Sequence, residues 1–169
     1  MLERLWNGWR STYVSSVEPS AENRTAAGSV FSAILASGLP DEQTYIVHRG
    51  PTCFVILNAF PYATGHSLVL PYRQVSDLEQ LEPAEITELW ATVTDAVVAT
   101  KAAYRPEGLN VGMNLGRPAG GSVSEHLHVH VVPRWTGDAN FMTAIANTRT
   151  LPEALVDSAA KLRAHWPTR

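Results

Sequence analysis

Two spacings organise the apolar positions of this chain. Over residues 83–104, Ile86, Leu89, Trp90, Val93, Val97 and Tyr104 recur at intervals of three and four, the pattern of a helix that buries one face. Pro83 suits a first helical position, and Pro106 with Gly108 closes the segment. The same periodicity places Leu2, Leu5, Trp6, Trp9 and Tyr13 on one face of an N-terminal helix over 2–14. It also places Leu155, Val156, Ala159 and Leu162 on the buried face of a last helix over 152–165. Val30, Phe31, Ile34 and Leu35 form a helical turn or two before Gly38 and Pro40 break it.

Between the helices the pattern shortens to strands, predicted over 44–48, 51–57, 67–71, 109–115 and 126–132. Gly50-Pro51 between the first two is a turn signal, so they form a hairpin. Short links between neighbouring strands favour antiparallel pairing. The predicted class is therefore α+β: an antiparallel sheet of about five strands with a long helix and a C-terminal helix. Residues 1–169 read as a single domain with an N-terminal helical extension.

Composition narrows the partners. With 13 Lys and Arg against 16 Asp and Glu, the net charge is −3, and no basic run offers a track for a nucleic acid. An anionic substrate must be held at short range by N–H groups and histidines. Charged residues are only 17%, below the roughly 25% usual in soluble domains, which fits a chain that hides surface in an oligomer. Cys53 is the single cysteine and sits in an apolar run, so it reads as a small buried hydrophobe. No apolar run approaches the length of a membrane span, and the N-terminus lacks an apolar signal core; the expected location is cytoplasmic.

The chemistry concentrates in His126-Leu-His128-Val-His130-Val-Val132. In a strand, alternate residues share a face, so the three imidazoles line one side over about 13 Å while Leu127, Val129 and Val131 enter a core. Like charges on neighbouring rings disfavour one another. That coupling spreads their pKa values, leaving one ring as a neutral nucleophile and another as a proton donor. A zinc site is the rival reading, because His-x-His pairs are frequent ligands. Gly116, Gly120, Gly121 and Ser122 lie just upstream. Glycine backbone can approach an anion closely and cradle a phosphate, which favours nucleophilic attack on phosphorus.

The segment HLHVHVV resembles the signature of the histidine triad superfamily, His-φ-His-φ-His-φ-φ with φ apolar. Phe54-Val-Ile-Leu-Asn58 followed by Pro61-Tyr-Ala-Thr-Gly65-His66-Ser-Leu-Val-Leu-Pro71 is similar to the family's nucleotide-binding strand and loop. The likeness extends through 116–125, Val132-Pro-Arg-Trp135, Leu5-Trp6, 137–142 and the C-terminal helix. It is greatest to the branch of actinobacterial-type diadenosine tetraphosphate phosphorylases.

The resemblance implies that His128 is the nucleophile and is transiently nucleotidylated. It implies that His126 and His130 orient His128 and help protonate or stabilise the departing phosphate, with His66 supporting the cluster. Asn58 would hold the ribose, Ile56 and Phe54 would border the base, and Asn114, Gly121 and Ser122 would hold phosphates. Inorganic phosphate as acceptor would give ATP and ADP. The same histidine would serve a hydrolase or an adenylylsulfate phosphorylase. A nucleotide-binding regulator without turnover is the non-enzymatic rival, against which the intact triad speaks.

Some relatives carry a Cys-x-x-Cys pair that helps bind structural zinc; here the comparable stretch is Gly28-Ser29-Val30-Phe31-Ser32, and serine hydroxyls do not replace soft thiolate ligands. The expectation is no structural zinc, no metal at the triad and no tightly bound cofactor, with any divalent cation accompanying the nucleotide. The expected assembly is a homodimer or homotetramer. His48 and His165 read as packed or solvated. Arg73 could reach a distal phosphate, and Trp135 could border the site.

Overall fold

The computed structural model describes residues 28–138 and 153–168. The helix expected over 2–14 and the family-like stretch Asn140-Phe141-Met142 lie outside these residues. Helix α1 (Val30–Ala36) and a single turn α2 (Asp41–Thr44) precede strands β1 (Ile46–Arg49), β2 (Cys53–Leu57) and β3 (Ser67–Pro71). Helix α3 (Pro83–Tyr104), strands β4 (Gly108–Met113) and β5 (Val129–Arg134), and helix α4 (Leu155–Ala164) follow. The five strands form one antiparallel sheet in the order β1-β2-β3-β5-β4, the α+β arrangement expected.

Each face of the sheet has its own cover. Cys53, Val55, Leu57, Val69, Val129 and Val131 point to one side and pack with Leu89, Val93, Ala96 and Ala99 of α3 and Ala159 and Leu162 of α4. Phe54, Ile56, Leu68 and Leu70 point to the other, where Phe31 of α1 completes a second cluster with Ile46. Strand β2 is buried at all five positions. Cover on both faces is why its sequence reads as an uninterrupted apolar run.

Helix α3 has the predicted limits but a partly different buried face. Its core line is Leu89, Thr92, Val93, Ala96, Ala99 and Thr100. These residues are mostly small, which lets the helix axis approach the sheet closely. Ile86 and Trp90 are instead exposed, as is Val156 on α4, and Val98, outside the predicted face, is exposed as well. The C-terminal helix docks through Arg163, whose guanidinium donates to the carbonyls of Ile46 and Asp41 at 2.7–2.9 Å.

Several strand limits moved, β4 for instance running Gly108–Met113 in place of 109–115, and three of the shifts have a local reason. Thr44 belongs to α2, and Tyr45 caps that turn in the left-handed region at φ 59°, so β1 starts at Ile46. Pro51 and Thr52 form the turn before β2, where the Glu88 carboxylate accepts from the Thr52 N–H and hydroxyl and from the Cys53 N–H. The third change bears on the site. Pairing of β3 with β5 covers Ser67↔Val131, Leu68↔His130 and Val69↔Val129 and stops there.

Candidate active site

Only His130 of the three aligned histidines lies within β5; His126 and His128 sit in the extended lead-in ahead of it. The ladder ends because its partner groups are taken. Pro71 has no N–H to give, and its carbonyl bonds the His126 ring at Nε2, 2.9 Å away. The Leu127 N–H donates to the Val75 carbonyl instead. The in-out alternation survives without the ladder: Leu127, Val129 and Val131 enter the helix-side core, and the histidines face the other way.

The rings do not form one evenly spaced row. His128 and His130 meet edge to face, with centroids 4.9 Å apart, and His66 meets His130 at 5.1 Å. The Tyr62 ring lies 4.6 Å from His66 and 5.8 Å from His130. His126 stands behind this group, fully buried, with its ring against the edge of Phe31. Phe31 also touches His128. Neither Tyr62 nor Phe31 was singled out from sequence as a site residue, although Tyr62 stands inside the loop that carries the family likeness.

Hydrogen bonds fix most of the protons. A carbonyl only accepts, so the 2.8 Å contact of His128 Nδ1 with the His126 carbonyl places a proton on Nδ1. Neutral His128 therefore keeps its lone pair on Nε2. The Tyr62 N–H donates to His66 Nδ1 at 3.0 Å, and Asn58 Nδ2 lies 3.4 Å from the same atom. The His66 proton is thus on Nε2, from which it donates to His130 Nδ1 at 2.9 Å. Neutral His130 then carries its own proton on Nε2; Asn114 Nδ2 lies 3.4 Å from that atom, and since both are donors the Asn114 amide has to turn its oxygen toward the ring to accept.

Burial pushes His126, His128 and His130 below the ordinary histidine range, with His130 brought down to about 4. Desolvation is the largest cause for each. The His128 charge is a secondary contribution for His126 and His130, and the His126 and Glu125 groups pull His128 upward. The expectation that mutual repulsion separates the rings is corrected here: burial lowers all three together, and near neutral pH each is an uncharged imidazole.

The remaining predicted residues are placed as follows. Asn58 follows β2 and accepts from the Phe60 N–H. Phe54 and Ile56 lie buried in the α1-side cluster, with Phe54 stacked on Tyr72 at 5.3 Å. Gly121 is buried against the Asn114 and Gly116 carbonyls, where a Cβ would come within 3.3–3.5 Å, and Ser122 is exposed on the same loop. A cavity of about 380 Å³ opens beside His130, bordered by Tyr62, Asn110, Asn114 and Arg134.

Two candidates fall away from the site. Arg73 forks onto Glu85 and the Gln80 carbonyl, and Trp135 packs on Tyr104 with centroids 6.5 Å apart. His48 stacks on Trp166 at 4.5 Å, and Cys53 is buried with its thiol pushed up to about 11.

The HIT domain pattern matches residues 40–137, over half of the chain. The chain belongs to the histidine triad family. It is 42% identical over 165 residues to the AP-4-A phosphorylase of Mycobacterium tuberculosis H37Rv, an alignment covering 98% of this chain and 85% of that one. It is 32% identical over 93 residues to the asymmetrical bis(5'-nucleosyl)-tetraphosphatase of Schizosaccharomyces pombe, covering 55% of this chain and 50% of the relative. Among solved structures, a Zn-bound histidine triad family protein from Mycobacterium smegmatis superposes with a TM-score of 0.65 at 29% identity, covering 80% and 91% of the two chains. In this member of the family, Ser29 and Ser32 face Gln74 and His126. Among the described residues no helix is long and apolar enough to cross a membrane.

Proposed function

We propose that this histidine triad protein is a nucleotidyl transferase that splits diadenosine tetraphosphate by phosphorolysis, giving ATP and ADP. The observation that carries the reading is the His128 Nδ1–H bond to the His126 carbonyl, which leaves Nε2 as a lone pair among neutral rings. Its likeness to the mycobacterial AP-4-A phosphorylase over nearly the whole chain supports the substrate.

In the first step His128 Nε2 attacks an α-phosphorus. An N–P bond forms, the P–O bond to the next phosphate breaks, and ATP departs. The Nδ1–H bond to the carbonyl offsets the positive charge that develops on the ring. His130 Nε2–H, Asn114, and the loop at Gly121 and Ser122 stabilise charge on the phosphoryl oxygens. In the second step an oxygen of inorganic phosphate displaces His128 and forms ADP. Splitting one substitution into two in this way is covalent catalysis. Asn58 holds the ribose, and Phe54 and Ile56 back the base from beneath.

No structural zinc and no tightly held cofactor are part of this reading, and any divalent cation enters with the nucleotide. We also assign a cytoplasmic location and a homo-oligomeric state. Transfer to water is the second reading, favoured by likeness to the yeast tetraphosphatase. Incubation with diadenosine tetraphosphate, with and without phosphate, separates the two. ATP plus ADP formed only with phosphate supports phosphorolysis, whereas rate and products indifferent to phosphate refute it. An α-labelled nucleotide should mark the wild type in an acid-labile bond and leave His128→Ala unmarked and inactive.

A further inference from the structure

Ser29 is buried and stands at the start of α1, where its hydroxyl accepts from the Ser32 N–H at 3.2 Å. The same hydroxyl lies 2.7 Å from His126 Nδ1. Proton accounting settles its direction. His126 Nε2 faces the Pro71 carbonyl, which only accepts, so the ring proton is on Nε2 and Nδ1 holds a lone pair. The one hydrogen of the Ser29 hydroxyl therefore goes to His126. Gln74 makes this arrangement rigid, because its Oε1 accepts from both the Ser29 N–H at 2.8 Å and the Ser32 hydroxyl at 3.1 Å.

We propose that Ser29 is a positioning residue for the histidine cluster: with the Pro71 carbonyl fixing the proton on Nε2, its hydroxyl pairs Nδ1 and locks the His126 ring in one orientation, and His126 in turn presents the carbonyl that holds His128 by Nδ1–H. The relay runs from Ser29 to the His126 ring, along the His126 backbone to its carbonyl, and on to His128. It sets which nitrogen of His128 is free without touching substrate. The lead-in that carries His126 lacks ladder bonds to β3, so the two bonds made by the His126 ring take over that task. An unpaired Nδ1 at a fully buried ring would cost far more than at an exposed one.

The inference rests on His128 Nε2 as the attacking atom, and its test includes a readout free of that assumption. Glycine is a competent helix start, so Ser29→Gly removes the hydroxyl, and with it the bond from the Ser32 N–H, while α1 can still begin at the same residue. For diadenosine tetraphosphate with phosphate, kcat should fall about tenfold or more with KM within about twofold, and Ser29→Thr, which keeps the hydroxyl, should restore it. Imidazole 15N spectra of the ligand-free protein should show His126 solely as Nε2–H and His128 as Nδ1–H in the wild type and Ser29→Thr. In Ser29→Gly, the His126 Nδ1 signal should move to that of a lone pair without a donor and the His128 Nδ1 proton should exchange faster. Ser29→Gly with wild-type spectra overturns the proposal whatever the activity. Changed spectra with wild-type kcat on a turning-over enzyme overturn its catalytic part. Absence of turnover in every form, with the spectral change intact, refutes the substrate assignment and leaves the positioning role standing.

Discussion

His66 Nε2 donates to His130 Nδ1 across 2.9 Å, from the residue just before β3 to the partner strand β5. The donor is itself oriented, because the Tyr62 N–H occupies His66 Nδ1. The consequence is that His130 points a proton, not a lone pair, from Nε2. His66→Ala should free His130 to take either tautomer, lowering kcat about tenfold or more with a smaller change in KM. Steady-state kinetics check this, and a kcat within twofold of the wild type would show that His130 needs no such partner.

A bound polyphosphate should reverse the effect of burial on His130. The ring titrates at about 4 in the free protein, mainly through desolvation, and a nearby anion favours the charged form. Titration by NMR with a non-hydrolysable nucleotide should move the His130 midpoint upward by a unit or more. A midpoint that stays put would place the phosphates away from this ring.

The same depression ties stability to pH. Unfolded histidines bind protons near pH 6.5, whereas His126, His128 and His130 in the folded chain resist protonation, His130 until about 4. The unfolded state therefore binds more protons in this window. Stability is fully present above about pH 6.5 and is lost as pH falls toward 4, on the order of 2–3 kcal/mol from His130. Denaturant midpoints measured from pH 7.5 to 4.5 should fall accordingly, and His130→Gln should flatten the fall. An equally steep fall in that variant would assign it to other groups.

The long helix and β3 were legible because both have strong local signals, a 3.6-residue apolar period behind Pro83 and an apolar run behind Gly65-His66. The triad's residues were legible too, but not their geometry. Treating 126–132 as a strand put three rings in one row; the structure ends the strand pairing at Val129 because Pro71 and Val75 spend their carbonyls on His126 and Leu127. The role of Ser29 could not be read at all, since its partner His126 is 97 residues away. From sequence the two serines showed only that thiolates were missing. Burial of the rings, the cause of their lowered pKa values, also depends on α1 folding back over the sheet, which no local pattern encodes.

Gly65 links the helix-side packing to the site. Its φ of +81° is a region side chains avoid, and a Cβ there would fall 2.5 Å from the Tyr104 ring. Gly65→Ala should destabilise the protein by about 2 kcal/mol or more. It should also displace the loop that sets Asn58 and His66, so kcat should fall even where the protein remains folded. Thermal melts with kinetics below the transition test this, and wild-type values in both would show that Tyr104 swings aside freely.

Oligomerisation should use the surfaces that the fold leaves apolar. Strand β4 is a sheet edge, exposed along its middle, with Val111 43% exposed. Ile86, Trp90 and Val98 form an exposed stripe at four-residue multiples along α3. An unprotected edge invites pairing with another chain, and two antiparallel β4 edges would extend the sheet continuously while burying such a stripe. Light scattering should give at least twice the mass of one chain. Trp90→Asp with Val111→Asp should reduce that mass to one chain, because charges at the centre of an apolar contact lose hydration without gaining partners. A monomeric wild type would remove the premise, and a double variant that keeps the wild-type mass would move the interface elsewhere.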